Sequence, residues 1–522
     1  KIEDIYPIIP SICSMLRHIT ATLNINFYKS NAMDFIQVFA SALIALKETS
    51  LAIILDSKIS HILVDEFQDT NNSQLEFLEL LSQNFSGDPN KSFFAVGDPM
   101  QSIYRFRKAE VSIFKNVQSS GIGDLKLTPL SLEVNFRSNQ KIIGWLNTTF
   151  KNAFPSEENS AIGSICYKPS TFGNNNSGSG VHYHPLLVSS TVKADIYRTE
   201  AEYVYSLIKE IKSKNPLTEI AVLTQSRSHL RELLTLFKKN KEKIPIDAVE
   251  INRLEDNQSL QDILSLSKAL FNFSNRVEWI AILKAPWCGL SVKDLIILFE
   301  KDHTSTVWEI INNKIITKNL SKDSQKRLQH LVDVVKVNIL YRGRVSHTYF
   351  IESVWRQLKG PESMIDSTDI ECIDIFFKLL EESSSPLSVD FVKVDKLLDK
   401  IHTSELSHES NSVKFLTIQK SKGLEFDCVI IPNLNRPTRN ESKNLLLIDE
   451  GVLSINNNDE DVNLYTYHRF KEMGRLKNEY IRLLYVAITR AKSDCYLIGS
   501  FSDEAEKNVK PNSGTFQEIL WP

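Results

Sequence analysis

Two adjacent carboxylates, Asp65 and Glu66, close the apolar run His61-Ile62-Leu63-Val64 and lead into Phe67-Gln68-Asp69-Thr70. A short continuous apolar run reads as a strand of a covered parallel sheet. The acids then emerge at its carboxyl end, where open α/β sheets bind ligands. Neighbouring acids there suit a division of labour, one holding Mg²⁺ and the other orienting or deprotonating a water. A solvated acidic turn is the other reading of the same residues.

Four further stretches carry residue types able to do chemistry. Val96-Gly97-Asp98-Pro99-Met100-Gln101-Ser102-Ile103-Tyr104-Arg105-Phe106-Arg107 joins a strand end and tight turn to alternating aromatic and basic residues. The Gln101 amide donates and accepts, so it can sense a phosphate. Tyr104 and Phe106, between Arg105 and Arg107, suit bases stacked beside a charged backbone, or the core of a following helix. In Leu132-Glu133-Val134-Asn135-Phe136-Arg137-Ser138, the Arg137 fork matches phosphate oxygens and Phe136 can stack on a base; a surface ion pair is the alternative. Thr417 to Phe426 carries Gly423, which lets backbone approach a ligand closely, or is a basic solvated loop. Arg482 to Lys492 is an apolar helix ending in Arg490. That arginine can reach a transferring phosphoryl group or complement the helix dipole.

The elements that must position these residues follow from periodicity. Residues 1–30 read as helical, and Asp34–Leu46 has apolar residues at helical spacing. A helix follows the acidic strand at about Ser73–Leu81, with Asn72 or Ser73 as N-cap, and Ser92–Val96 is a second short strand. Strand, helix, strand is the rhythm of a parallel sheet. Leu125–Asn135 reads as a strand with a crossover, and 156–180 as a flexible loop rich in Ser, Asn and Gly. Helix 200–213, strand 219–224 and helix 228–238 rebuild a second α/β pattern. From about 251 to 410 the pattern is almost purely helical, with Ser259–Phe271, Ser291–Phe299 and Ile370–Leu380 amphipathic. Strands return at Val413–Ile418 and Cys428–Pro432, so the helical block reads as an insertion. A polar loop covers 433–463, then come a helix at about 476–490 and a strand at Cys495–Gly499.

Composition bounds the alternatives. A chain of 522 residues has room for roughly two to four domains. With 42% hydrophobic and 24% charged residues it is ordinary globular protein. The net charge of -3 gives no support to nucleic-acid binding, yet leaves room for a basic groove. Six cysteines lie far apart with no C-x-x-C pair, which fits reduced thiols of the cytoplasm and offers neither a zinc site nor a disulfide framework. No run approaches the roughly 20 apolar residues of a membrane span.

Taken together and in order, the five blocks resemble the motifs of the UvrD/Rep superfamily-1 DNA helicases. DEFQDT looks like motif II, GDPMQSIYRFR motif III, NFRS motif IV, TIQKSKGLEF motif V and RLLYVAITRAK motif VI. DFIQVFASAL is similar to the helix preceding motif II, and AVLTQSRSH to the segment after motif IV. The likeness spans about residues 31–500. Its wording in motifs III and VI is closer to the nuclease-linked RecB/AddA branch (exodeoxyribonuclease V beta-like) than to plain UvrD or Rep.

The resemblance implies two RecA-like parallel-sheet motor domains, the first incomplete, with a largely helical insertion. It assigns 1–30 to the tail of subdomain 1B, 31–133 to domain 1A, 134–250 with 411–522 to domain 2A, and 251–410 to the insertion 2B. By the same likeness Asp65 holds Mg²⁺ and Glu66 activates the attacking water of ATP hydrolysis. Gln101 contacts the γ-phosphate, Arg137 and Arg490 clamp it, Phe136 stacks on adenine, and Gly423 and Glu425 border the nucleotide. Tyr104 and Phe106 stack on single-stranded DNA, with Thr417 and Gln419 on the DNA side. The implied activity is 3′ to 5′ translocation on DNA, beside a RecC/AddB-like partner protein. Three departures qualify this. No G-x-x-x-x-G-K-[ST] phosphate loop occurs in the 522 residues; it is expected upstream of residue 1, so the chain by itself is expected to hydrolyse little ATP. Gln419 stands where His is usual, and Phe136 where Tyr is common. No stretch resembles the nuclease domain of the RecB/AddA branch.

Overall fold

In the computed structural model the described residues are 8–173, 177–189, 192–239, 244–248, 257–300, 302, 304–364, 367–386, 388–398, 412–437, 444–449, 451–456, 463–502 and 511–521. Their strands are β1 (His61–Val64), β2 (Ser92–Ala95), β3 (Val134–Asn135), β4 (Thr171–Phe172), β5 (Gly180–Val188), β6 (Ile220–Thr224), β7 (Ile246–Ala248), β8 (Val413–Thr417), β9 (Phe426–Ile431), β10 (Leu446–Asp449), β11 (Val452–Ile455) and β12 (Ala491–Ser502). The chain divides into two compact units, Lys1–Ile244 with Phe415–Pro522, and Pro245–Lys414.

The first unit holds two parallel arrangements. β1 pairs in parallel with β2, His61 opposite Ser92 and Val64 opposite Ala95. One face of this pair packs on Phe67, Ile113, Val117 and Ile122, the last three on or beside helix Val111–Ser120. The larger sheet runs β5-β12-β9-β6-β8 within this unit, and β5–β12, β12–β9 and β9–β6 are parallel pairs. All five residues of β6 are buried, as are five of the six in β9. That is the signature of central parallel strands covered by helices on both faces. Truncating one such side chain, Ile430→Ala, costs about 2–5 kcal/mol. Helix Lys193–Lys214 buries Ala201, Val204, Leu207 and Ile208 on one stripe, the spacing expected of a helix laid on a sheet.

The second unit is helical around one core that includes Leu260, Ile263, Trp279, Val335, Phe350, Trp355 and Phe376. Its helices start where the sequence offers short polar caps. Asn257, Asn275, Ser291, Thr306, Ser321 and Ser346 each accept a first-turn backbone N–H, a bond worth about 1 kcal/mol per cap.

Several local expectations are corrected. Helix Asn72–Leu81 is capped by Asn71, not Asn72 or Ser73, because Asn71 and Gln74 bond each other's backbone reciprocally. Of 125–135 only Val134–Asn135 is strand, and it pairs with β4 inside the stretch read as loop. Residues 174–176 of that stretch lie outside the described residues. The polar segment 433–463 contains an antiparallel hairpin, β10–β11, turned between Asp449 and Val452; most of its Asn/Asp cluster is outside the described residues. Helix 476–490 begins far earlier, at Leu464, and stops at Ile488. Strand β12 starts at Ala491 rather than Cys495, so Arg490 is the joint between helix and strand.

Candidate active site

The functional side chains cluster because the strands end together. β1 ends at Val64, and Glu66 two residues on adopts the left-handed conformation at φ 51°, a backbone state that a non-glycine residue holds only when its surroundings enforce it. They do so here. The Asp65 carboxylate accepts the Glu66 N–H at 2.8 Å, and the buried Gln68 amide donates to Glu66 Oε2. The other end of Gln68 accepts the Asp98 N–H at 2.9 Å, and Ser102 Oγ donates to the Gln68 carbonyl at 3.0 Å. A Cβ at Gly97 would collide with Gln68 Oε1, which is why glycine precedes Asp98. One buried amide thus sets both strand ends.

After β2, Asp98 accepts from the Met100 N–H and from Gln101 Nε2, each at 2.9 Å. Burial raises the Asp98 pKa against those bonds. The free end of the Gln101 amide, Oε1, accepts from Arg490 Nη2 at 3.1 Å. Arg490 is 1% exposed and also donates to the Val486 carbonyl at 3.1 Å and that of Leu424 at 3.3 Å. Burial, with Arg137 nearby, lowers it to about 10, so it stays cationic at neutral pH. Beside it Arg137, at the end of β3, donates to Glu425 Oε2 at 3.0 Å and to the Thr489 carbonyl at 3.5 Å. Glu425 also faces Lys492 at 3.3 Å, and its pKa is held down by the Arg137 hydrogen bond first. Gly423 takes φ 84° with open space where a Cβ would point. Phe136 is an exposed ring between Asn135 and Arg137.

The aromatic pair divides. Tyr104 is half-buried, its hydroxyl donating to the Gln419 carbonyl at 3.0 Å. Phe106 is 66% exposed and is therefore no core residue. The two rings meet edge to face at 5.7 Å, with Arg107 over both at 5.1 and 5.5 Å. Thr417 closes β8 and Gln419 lies in the short helix after it. Arg105 is not beside its basic neighbour's surface: it is bound to Glu472 and Glu479 of helix Leu464–Ile488.

Sequence reasoning missed Lys422. Its side chain is 4% exposed and lies 3.0 Å from Glu66 Oε2, in contact with Asp69, and 3.0 Å from the Gln101 carbonyl. A lysine in motif V beside an acidic motif II was the available signal. Glu66, Asp69, Tyr104, Arg107 and Lys422 line a cavity of about 380 Å³.

A parallel-sheet α/β unit whose strand ends gather two carboxylates, a glutamine and two arginines carries the residue types of a nucleotide-phosphate site. The UvrD-like helicase C-terminal domain matches residues 130–501, and the UvrD/REP helicase N-terminal domain matches 13–121. The chain belongs to the UvrD-like helicase family. Among its relatives, the exonuclease/helicase subunit RexA of Streptococcus pneumoniae is 26% identical over 89% of this chain and 43% of that protein. ATP-dependent helicase/nuclease subunits from Exiguobacterium sibiricum and Staphylococcus epidermidis are 25% and 23% identical, covering 94% and 96% of this chain and 44% of each relative. The chain thus spans less than half the length of the curated relatives it matches.

The residues present fit a magnesium–nucleotide phosphate. Arg490, with Gln101 and Arg137 beside it, acts electrostatically on Glu66, and Asp65 and Glu66 are exposed carboxylates, the donor set of a charged phosphate tail and its metal. Among the described residues no group of three or more His, Cys, Asp or Glu side chains could hold a metal. Mg²⁺ needs no such cage, because it keeps waters and takes one or two carboxylates plus phosphate oxygens.

Proposed function

We propose that this chain is the C-terminal part of an ATP-driven DNA helicase motor within a helicase–nuclease repair or recombination enzyme, moving 3′ to 5′ on one strand. The observation that carries the reading is the Gln101–Arg490 hydrogen bond. It joins the element after β2 to the end of helix Leu464–Ile488, with Arg137 and Glu425 beside it. On this reading domain 1A is 31–133 after a 1B tail at 1–30. Domain 2A is 134–250 with 411–522, and 251–410 is the 2B insertion. The separation of Pro245–Lys414 as its own compact unit supports that division.

Each residue then has a task. Glu66, held by Gln68 and Asp65, takes the proton of the water attacking the γ-phosphate. Arg137 and Arg490 neutralise the charge that develops on the transferred group, and Gln101 reports it to the segment that carries Tyr104 and Phe106. Phe136 stacks on the adenine while Gly423 and Glu425 border the sugar. Asp65 would hold Mg²⁺, which would supply charge neutralisation for the nucleotide's phosphate tail. Tyr104, Phe106, Thr417 and Gln419 line the strand's path. The relatives are named as subunits of a helicase/nuclease, which supports a RecC/AddB-like partner. The free cysteines support a reducing, cytoplasmic setting.

The test is ATP turnover of the full-length protein with and without single-stranded DNA. Glu66→Gln is expected to lower the DNA-stimulated rate about 10²–10⁴-fold, and Arg490→Ala about 10³-fold or more. Turnover within a factor of a few of the unmodified protein in either variant overturns the assignment. The 522 residues alone lack a phosphate loop and are expected to turn over ATP weakly.

A further inference from the structure

Arg105 sits between the two aromatic residues of the DNA-facing segment, yet its charge is directed elsewhere. Its backbone N–H donates to Glu479 Oε1 at 3.0 Å, its Nε lies 3.4 Å from Glu479 Oε2, and its Nη1 donates to Glu472. Glu472 continues the chain of charges to Arg475 at 2.9 Å, Arg475 to Asp449 at 2.8 Å, and Asp449 to Lys471 at 2.5 Å. Four of these groups, Lys471, Glu472, Arg475 and Glu479, lie on one helix, Leu464–Ile488, and the fifth, the Asp449 carboxylate, is on the β10–β11 hairpin. The same helix donates Arg482 Nε to the Ser102 carbonyl at 2.7 Å, and beyond its end Arg490 bonds Gln101.

The segment 101–105 is therefore fastened at three successive points to one helix and the turn that ends it, by the Glu472–Glu479 pair and Arg482 on the helix and Arg490 in the turn. Glu472, Glu479 and Arg482 are seven and three residues apart, spacings that share a helix face. Arg105 is 19% exposed and its partners 29% and 15%, so water screens the pairs only in part. A planar fork that donates to two carboxylates, one of which also accepts the N–H of Arg105 itself, fixes orientation in a way a lysine's point charge does not.

We infer that Arg105 is a positioning residue. Through Glu472 and Glu479 it locks the Tyr104–Phe106 stacking platform to the helix that delivers Arg490, so that the state of the nucleotide site sets the position of the platform. The charged hairpin β10–β11 braces the far end of that lever through Asp449. This rests on the reading of the chain as a DNA-stimulated ATP motor. It goes beyond that reading by naming a device that touches neither nucleotide nor DNA.

The experiment compares the full-length protein with Arg105→Ala, Arg105→Lys and Glu479→Gln. It measures ATP turnover without DNA, the kcat and half-activating concentration with poly-dT, and ATP consumed per nucleotide travelled. Arg105→Ala is expected to leave DNA-free turnover within about twofold while DNA stimulation drops about tenfold or more, the range of a one-to-three kcal/mol coupling. ATP consumed per nucleotide rises. Arg105→Lys, which keeps charge and fold but not the fork, is expected to retain binding of poly-dT with a raised ATP cost per step, and it decides the matter if the alanine variant does not fold. A Glu479→Gln defect that does not add to that of Arg105→Ala marks the two as one device. Parallel loss of DNA-free turnover, DNA stimulation and thermal stability would reduce Arg105 to a structural ion pair and overturn the inference. So would full stimulation and unchanged ATP per step in both Arg105 variants. An unmodified protein that DNA does not stimulate overturns the motor reading itself, and this inference with it.

Discussion

At the residue scale the least expected side chain is Lys422. It neutralises two carboxylates, but these are not equivalent. Glu66 is half exposed, so its attraction to Lys422 is screened and contributes little. Asp69 is mostly buried, and burial raises its pKa while the Lys422 hydrogen bond opposes that rise. Removing the lysine leaves Asp69 as an uncompensated buried charge, the costly half of any broken buried pair. Lys422→Ala should therefore destabilise the unit by about 2–3 kcal/mol, read by urea denaturation. Asp69→Asn in the same background should recover most of it, whereas Glu66→Gln should recover little. Equal rescue by both would show that the weight given to burial is misplaced.

At the element scale, what was legible and what was not follow from the range of the forces involved. The strand ends at Asp65 and Gly97 announce themselves locally, through apolar runs broken by acid or glycine. The caps of the helical unit do so as well, since an Asn, Ser or Thr bonds its own next turn. The network behind the site is not local. Gln68, Arg105 and Lys422 acquire partners 30 to more than 300 positions away, and no periodicity encodes that. The β10–β11 hairpin escaped for another reason, because Leu446-Leu447-Ile448-Asp449 and Val452-Leu453-Ser454-Ile455 around a glycine form a hairpin signal hidden by polar flanks.

One long-range link at this scale has a pH signature. Glu200 of helix Lys193–Lys214 accepts from the Asn433 N–H after β9 and from Ser500 Oγ in β12. Burial pushes its pKa up to about 7 from an ordinary 4.5, against those bonds. The folded state therefore holds a proton that the unfolded chain has released, so this contribution is complete below pH 4.5 and is lost as pH rises through 7. A shift of this size corresponds to a loss on the order of 3 kcal/mol. Glu200→Gln keeps an acceptor for Asn433 and supplies a donor for Ser500 without titrating. Relative to it, the unmodified protein should lose stability between about pH 5 and 8 in denaturant melts. His229, lowered to about 4 from 6.5 by burial, gains stability as pH rises between those two values, but it does so in both proteins and cancels in the difference. Parallel curves would mean Glu200 is already ionised at about pH 5.

At the scale of the whole molecule, apolar surface is unevenly distributed. The β1–β2 pair is covered on one face by helix Val111–Ser120, yet Leu63 and Phe94, directly opposite each other in register, are 75% and 54% exposed. Parallel strands are ordinarily covered on both faces. Phe35, Ile36 and Ile44 on helix Phe35–Leu46, and Ile19 and Ile25 on helix Ile8–Ser30, are exposed too. By contrast the central strands β6 and β9 of the larger sheet bury every apolar residue. Paired apolar side chains left open on a sheet face favour association in water. Expressed alone, residues 1–522 should therefore self-associate through the open β1–β2 face. Light scattering after size exclusion should show a mass that rises with concentration. Replacing the two opposed side chains, Leu63→Lys with Phe94→Glu, should restore a monomer. Because both positions are solvent-facing, stability should change by no more than about 0.5 kcal/mol at each. If the unmodified chain is monomeric at every concentration, or if the double variant associates as before, the open face is not the surface through which copies meet.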